Sequence, residues 1–502
     1  MEDQGPCAPL GVSLRQTFPR SQFFGGDDVW VSRVVTDSVA CQPGDVLAIL
    51  GDSIDPLQAA CDALARGAAG ILTEQLLPIP LPQCIVNDVG RAAAKLCDVL
   101  HESPTESLLM VGVVGADGKT STALLTAAML RGAGYRTAYE TDLGDCDGVI
   151  QSVPPRRADT VTSVSEFLAS ARDSGSAAAV IELSAEMLHS PVVDALQFDV
   201  IVLTGGKPSR QCEMGLADAM DLALERLREG GVAIVNGDSP AAMAAADRAG
   251  VPTLVHALRR DADVSAKIFE QQPGMTTLMV TAGDVTAVLE TPLTGAAMAA
   301  NQLAAITLGL LLELPLHQAI ESISGVKSLP GRMQRLPGYG ETAVVLDAAG
   351  SAARLGNALR SLRRERCGGK LWIVATVAER QSECETAACG RTAERYADHV
   401  VLTSGAAGKA NFLRRAHCWL DGVENVAGPR LMADRQAAIE WVLDHAAAND
   451  TVLIAGGWPS DSPELERGAI EADAHIVAAH RDRQDSGTEP VILSHPALHA
   501  AS

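Results

Sequence analysis

Aromatic residues are scarce in this 502-residue chain, with five Trp, four Tyr and seven Phe, so its cores have to be built from Ala, Val and Leu. Lysine is rarer still for a chain of this length, only seven in all. Basic residues are outnumbered, 40 Lys and Arg against 62 Asp and Glu, for a net charge of −22. Such a field works against nucleic acid and against anionic membrane surfaces, and no nucleic-acid partner is expected. No apolar run approaches the roughly 20 residues of a bilayer span; AAITLGLLLEL, after Asn301, is the most apolar stretch, and no membrane insertion is expected. The opening MEDQGPCAPLGVSLRQTF lacks a basic segment followed by an apolar one, which argues against a secretory leader. The eleven cysteines form no C-x-x-C pair, the pattern of reduced thiols rather than of disulfides or zinc ligands. A soluble, cytoplasmic protein is expected, with its oligomeric state left open.

What is present is α/β patterning. Residues 30–100 alternate strand-like runs (VWVSRVV, DVLAIL, AGILT, QCIVN) with the helix pattern AACDALARGA, ending at a polar, Pro-containing segment around Pro104. A second block carries buried-strand runs MVGVV, AAAVIELS, FDVIVLTGG and GVAIVNGDS, each followed by helix-like sequence, and closes with a long apolar helix over 299–314. A third block, with TAVVLDAAGS, KLWIVATVAE, DHVVLTSGAAG and DTVLIAGGWP, reads as Rossmann-like, although no G-x-G-x-x-G follows its first strand; a dinucleotide oxidoreductase is therefore disfavoured. The expectation is three α/β domains, over 1–105, 106–333 and 334–480, with a loosely ordered tail at 481–502. Ligands should sit at the carboxyl ends of parallel strands.

The stretch from Met110 to Leu130, MVGVVGADGKTSTALLTAAML, is a strand, a glycine-rich loop and a helix. Gly115 and Gly118 let the backbone of Gly115, Ala116, Asp117 and Gly118 turn its N–H groups inward, and the helix start adds the positive end of its dipole. Lys119 would place a cation on the β- and γ-phosphates, and Thr120 or Ser121 a hydroxyl on Mg²⁺. Val113 stands where the longer phosphate-loop pattern has its first glycine, leaving G-x-x-G-K-T-S; an ordinary strand–helix turn is the bland alternative.

These three blocks, with the phosphate loop opening the middle one, resemble the Mur ligase family. The similarity is strongest to its UDP-N-acetylmuramoyl-tripeptide synthetase branch. VVTDSVACQPGDVLAIL matches the start of that branch's first domain, keeping Asp37 and Ser38 as substrate-binding candidates, with Val39 in place of an arginine. IELSAEML keeps Glu182 and Ser184, with Glu186 where histidine is usual. ANQLAAITLGLLLEL and SLPGRMQRL match the closing helix, from Asn301, and the Gly331-Arg332-Met333 motif. VVLDAAGS keeps Asp347 but loses the tyrosine and histidine of its counterpart. The resemblance implies ATP and Mg²⁺ as cofactors, with Lys119 on the phosphates, Thr120 and Glu182 on the metal, and Asn301, Arg332 and Asp347 reaching ATP. A carboxylate is a poor electrophile, so ATP would convert it to an acyl phosphate that an amine then displaces. Lone strand-end carboxylates are also commonly just solvated, and helix capping would explain Asp347 equally well. Arg332, after a Pro-Gly pair, could simply pack as a hinge residue.

Departures from the family pattern are as informative. The helix that should carry a carbamylated lysine, GLADAMDLALERL, has Leu224 nearest that place, with Asp221 and Glu225 the neighbouring carboxylates. TGGKPSRQ replaces a run usually rich in polar ligands, and Met298 replaces an adenine-contacting asparagine. The family's amino-acid motif becomes GAAG at Gly405–Gly408, and GWPS at Gly457–Ser460 replaces a charged run. Glu379 and Arg380 are the nearest charged candidates there, with Arg380 the substrate-binding candidate. A diaminopimelate or lysine pocket is accordingly not expected. Two readings stand: an ATP-dependent carboxylate–amine ligase acting on a UDP-linked muramyl peptide or related carboxylate, and a catalytically degenerate paralogue that keeps the fold, with or without nucleotide binding, as a scaffold or regulator.

Overall fold

Four sheets organise the chain in a computed structural model that describes residues 11–50, 55–152, 161–193, 195–205, 213–337, 342–365, 368–377, 381–405, 411–458 and 463–486. They fall into two compact units. The first comprises Met1–Glu270, Thr277–Thr291 and Ala296–Lys327; the second comprises Gln271–Thr276, Pro292–Gly295 and Ser328–Ser502.

The first unit holds a small five-stranded sheet and a large one. In the small sheet, Val34–Val35, Val46–Ala48, Gly70–Thr73 and Gln83–Ile85 run parallel, and Gln22–Phe24 closes the edge antiparallel. Two helices pack near it, Pro56–Ala65 and Val89–Leu100, started by the side chains of Asp55 and Asp88, which accept the Leu57 and Arg91 amides. The segment around Pro104 is a 3-10 turn with Pro104 and Thr105 buried.

The large sheet has β1 (Leu109–Val114) at its centre, followed by helix α1 (Lys119–Gly132) and β2 (Thr137–Thr141). Strands β3 (Ala178–Glu182) and β4 (Phe198–Leu203) flank β1, both parallel to it. Beyond β4 come β5 (Leu227–Asn236) and β6 (Thr253–Ala257), again parallel. Three strands that the sequence reading did not include extend this sheet: Val264–Gln272, parallel to β6, and then Met275–Ala282 and Val285–Thr291, each entered through a tight turn. Their alternating burial is the signature of strands covered on one face only. Between β5 and β6, the helix Pro240–Ala249 shows local rules acting together: Ser239 caps it, Pro240 fills its first turn, and Gly250 ends it at φ +62°.

Helix α2 (Ala296–Leu311) begins one turn earlier than the expected residue 299 and lies on β5 and β6. Leu303, Ile306 and Leu308 are fully buried in it. Burial of each such side chain is worth roughly 1.5–3 kcal/mol. Small alanines and valines fill the rest of this core, as the shortage of aromatics requires.

The second unit is a six-stranded sheet in which Ala343–Asp347, Thr451–Ala455, Leu371–Thr376, His399–Thr403 and Arg430–Leu431 run parallel, with Gln334–Leu336 antiparallel at one edge. Its closing helix, Pro463–Ser486, carries six residues that were expected in a loose tail from 481. Arg483 donates to Glu440 Oε1 at 2.7 Å and Arg481 to the Pro337 carbonyl, which holds this last part on the unit. Residues 487–502 lie outside the described residues. No helix among the described residues is long and apolar enough to cross a membrane.

Candidate functional site

The carboxyl ends of β1, β3 and β4 form the site. Gly115 leaves β1 at φ +154°, and a Cβ there would stand 2.0 Å from Thr204 Oγ1. Gly118 starts α1 at φ +84°, and a Cβ there would stand 2.6 Å from Asn301 Oδ1 of α2. Both close approaches require glycine. The loop between them is pinned to the end of β4: the Thr204 hydroxyl donates to the Asp117 carbonyl at 2.7 Å, and the Asp117 amide donates to Gly205 O at 3.1 Å. Gly118 contributes no side-chain cap, so the first turn of α1 keeps its amides for an anion.

Glu182 ends β3 and is buried. Its Oε1 accepts the Thr120 hydroxyl at 3.0 Å and lies 3.8 Å from Lys119 Nζ. Its Oε2 accepts the Asp142 amide at 3.1 Å. Burial pushes the Glu182 carboxyl up to about 7; neighbouring Asp142 adds to the rise, and Lys119 opposes it. A cation entering here would meet a carboxylate that gains charge as it binds. Among the described residues no three His, Cys, Asp or Glu side chains gather as a metal cluster. A hard cation at this place would depend on Thr120, Glu182, phosphate oxygens and water. That suits Mg²⁺, which keeps several waters and few protein ligands.

The sequence-derived candidates Gly115, Ala116, Asp117, Gly118, Lys119, Thr120, Ser121, Glu182 and Asn301 are thus brought together. Ser184 lies just beyond, its hydroxyl accepting the Met187 amide at 3.0 Å to start a short helix, with Glu186 exposed on it. Asp37 and Ser38 lie at the edge of the small sheet. Asp37 accepts the Val39 amide at 2.8 Å, Ser38 is buried, and Val39 is 64% exposed. Among the described residues no hydrogen bond of Asp37, Ser38 or Ser184 links the two places.

Arg332 and Asp347 come together in the second unit. Asp347 ends its strand buried and accepts the Met333 amide at 2.8 Å, so its partner is the neighbouring motif rather than a helix start. Burial raises its carboxyl to about 6, against the pull of the Met333 amide and of Arg332. Arg332 donates to Glu466 Oε1 at 3.0 Å, so it is ion-paired within its unit. Arg380 and Glu379 lie outside the described residues, as do 206–211 of TGGKPSRQ, 406–408 of GAAG and 459–460 of GWPS.

Two departures acquire a physical account. Leu224 is buried in the apolar core. Asp221 cannot replace the missing anionic ligand freely, because Arg248 holds both its oxygens, at 2.8 and 2.9 Å. At the carboxyl ends of the second sheet, Gly405 and Gly457 pack so closely that a Cβ on Gly405 would meet Gly457 O at 3.1 Å. Arg435 fills the adjacent space, donating to Gly456 O at 2.9 Å and to Asp473 at 2.9 and 2.7 Å. Residue patterns alone did not single out Asp142 or Thr204; the placement of Thr204 at the end of an apolar strand beside β1 was the available signal.

Residues 113–309 match the Mur ligase middle domain, and residues 331–457 match the Mur ligase, glutamate ligase domain. The chain is 30% identical over 502 residues to a UDP-N-acetylmuramyl-tripeptide synthetase of Deinococcus radiodurans, covering 95% of this chain and 99% of the relative. It is 29% identical over 505 residues to a UDP-N-acetylmuramoyl-L-alanyl-D-glutamate–2,6-diaminopimelate ligase of Streptomyces coelicolor, covering 96% and 97%. Among solved structures, another such diaminopimelate ligase aligns with a TM-score of 0.67 at 21% identity, covering 95% of this chain and 99% of that one. A MurF ligase of Thermotoga maritima in complex with ADP aligns at 0.64 and 18% identity, covering 90% and 98%. At those identities the structural matches speak for the fold.

Proposed function

The chain belongs to the Mur ligase family, and from that membership we propose that it is an ATP-dependent carboxylate–amine ligase of peptidoglycan precursor synthesis, resident in the cytoplasm. Lys119 and Thr120 after the glycine loop, gathered with Glu182 from the end of β3, carry the reading. In this reading residues 1–105 hold the UDP-linked muramyl peptide, 106–333 bind ATP, and 334–480 supply the ligase half of the site. Asp37, Ser38, Ser184 and Arg380 are the proposed substrate contacts.

The substrate carboxylate oxygen attacks the γ-phosphorus of ATP, ADP departs, and the amine of the incoming amino acid displaces phosphate to form the amide. Lys119 neutralises charge on the transferred phosphoryl group, and the loop amides orient the phosphates. Thr120 and Glu182 would hold Mg²⁺, which screens the phosphate charge when bound. Asn301, Arg332 and Asp347 are the proposed remaining contacts to ATP. With Leu224 in the core and Asp221 held by Arg248, neither supplies the second anionic metal ligand of the family. Turnover below that of a complete family member is expected, with an acceptor other than diaminopimelate or lysine.

The test pairs binding with turnover. Lys119→Ala should weaken nucleotide binding by roughly 1.5–3 kcal/mol, the scale of charged hydrogen bonds. Phosphate release with a panel of UDP-linked peptides and amino acids should then reveal the substrate pair. Nucleotide binding with no turnover on any pair would leave the scaffold or regulator role, for which the names of the relatives give no support.

A further inference from the structure

The second unit carries a basic groove that this chemistry does not use. It lies between the helices Ala352–Glu365 and Glu383–Tyr396 and encloses about 360 Å³. Its floor is made of small residues at helical spacing, Ala352 and Gly356 on one helix, Ala388 and Thr392 on the other. Gly356 makes the room: a Cβ there would come within 3.2 Å of Arg360 Nη1 and 3.3 Å of Thr392 Cγ2.

Three arginines line it, Arg360, Arg391 and Arg395, all exposed. Among the described residues none of the three forms an ion pair with a carboxylate, in a chain whose net charge is −22. Arg360 and Arg395 instead converge on the ring of Tyr396, with guanidinium carbons 5.5 and 5.4 Å from its centroid, and one nitrogen of Arg360 donates to Asn357 Oδ1. Arg363 donates to the Tyr396 carbonyl at 2.7 Å and fixes that helix end. Nearby carboxylates are turned to other work: Glu385 accepts the Ala352 amide at 2.8 Å, and Glu394 accepts the amides of Glu424 and Asn425 at 3.0 and 2.8 Å.

Like charges held together without counter-charges raise each other's energy, and an entering anion removes that cost. The guanidinium fork matches phosphate oxygens two at a time, and three forks exceed what a single carboxylate can neutralise. The volume suits a small molecule rather than an extended chain. We propose that this groove binds a phosphate-bearing small molecule, with Arg360, Arg391 and Arg395 on the phosphate oxygens and the Tyr396 ring beside them. It is independent of the Lys119 loop and of the ligase reading.

Arginine modification by phenylglyoxal, read by mass spectrometry on the full chain, tests this. Lys119→Ala serves as the background, so that binding at the phosphate loop does not contribute. Inorganic pyrophosphate and a nucleoside diphosphate are the probes, each at constant ionic strength. Protection of Arg360, Arg391 and Arg395 by either probe, more than by sodium chloride, supports the site, and the stronger probe identifies the free or the esterified phosphate. Arg391→Ala/Arg395→Ala, checked for folding by circular dichroism, should weaken protection of Arg360 by more than roughly tenfold, the scale of a lost charge-assisted contact. Equal protection by chloride, or protection by an acidic peptide and by neither phosphate probe, would overturn the proposal.

Discussion

Thr120 donates its hydroxyl to Glu182 Oε1 at 3.0 Å across 62 residues of chain, joining the helix after the phosphate loop to the end of the neighbouring strand. The bond holds a buried carboxyl 3.8 Å from Lys119 Nζ.

Glu182 sets the first expectation. Burial pushes its carboxyl up to about 7 in the folded chain, well above the ordinary 4.5. Between those values the folded form keeps a proton that the unfolded form releases, so stability of the free protein falls as pH rises through this window. Cation binding favours the ionised form, so Mg²⁺–ADP affinity should rise from pH 6 to pH 8. Titration calorimetry at several pH values on the wild type and Glu182→Gln checks this. The variant should retain only the pH dependence of the nucleotide itself, and an equal slope in both would refute the assignment.

Gly118 sets the second. Its φ of +84° and the 2.6 Å approach of Asn301 Oδ1 to a Cβ leave alanine strained and the loop displaced. Gly118→Ala should cost about 1–3 kcal/mol, the usual range for such backbone strain. Nucleotide affinity should fall with it. Denaturant titration and calorimetry read the two effects separately.

His256 is buried in β6, and neither ring nitrogen has a hydrogen-bond partner among the described residues. Burial lowers its pKa to about 4, so the folded chain refuses a proton that the unfolded chain accepts below about 6.5. Stability should therefore drop as pH falls from 6.5 to 4. His256→Leu should flatten that part of the profile, which thermal unfolding across the range will show.

Arg435, partly buried, makes a bidentate pair with the buried Asp473, to which the Trp458 indole donates at 2.7 Å. Removing one member strands the other charge. Arg435→Ala should destabilise the second unit by about 3–5 kcal/mol, the cost of breaking a buried pair. Urea unfolding followed by Trp fluorescence measures it.

Short-range physics made much of this protein legible in its sequence. The MVGVV run, the two loop glycines and the Ala/Leu helix pattern specify a strand, a turn and a helix through local conformational preferences, and the observed elements are Leu109–Val114 and Lys119–Gly132. Apolar strands ending in Glu182 and Asp347 likewise locate carboxylates at the carboxyl edges of their two sheets. Which groups meet there is a matter of long-range packing. Thr204 reaches the Asp117 carbonyl, Asn301 backs Gly118, and Arg248 takes Asp221, each because strands and helices distant in sequence become neighbours. The raised Glu182 and lowered His256 pKa values belong to the same class, since desolvation exists only once a core has closed around the group. Sequence supplied the residue types, and tertiary structure decided their partners and charge, because partners and dielectric are properties of packed neighbours rather than of chain order.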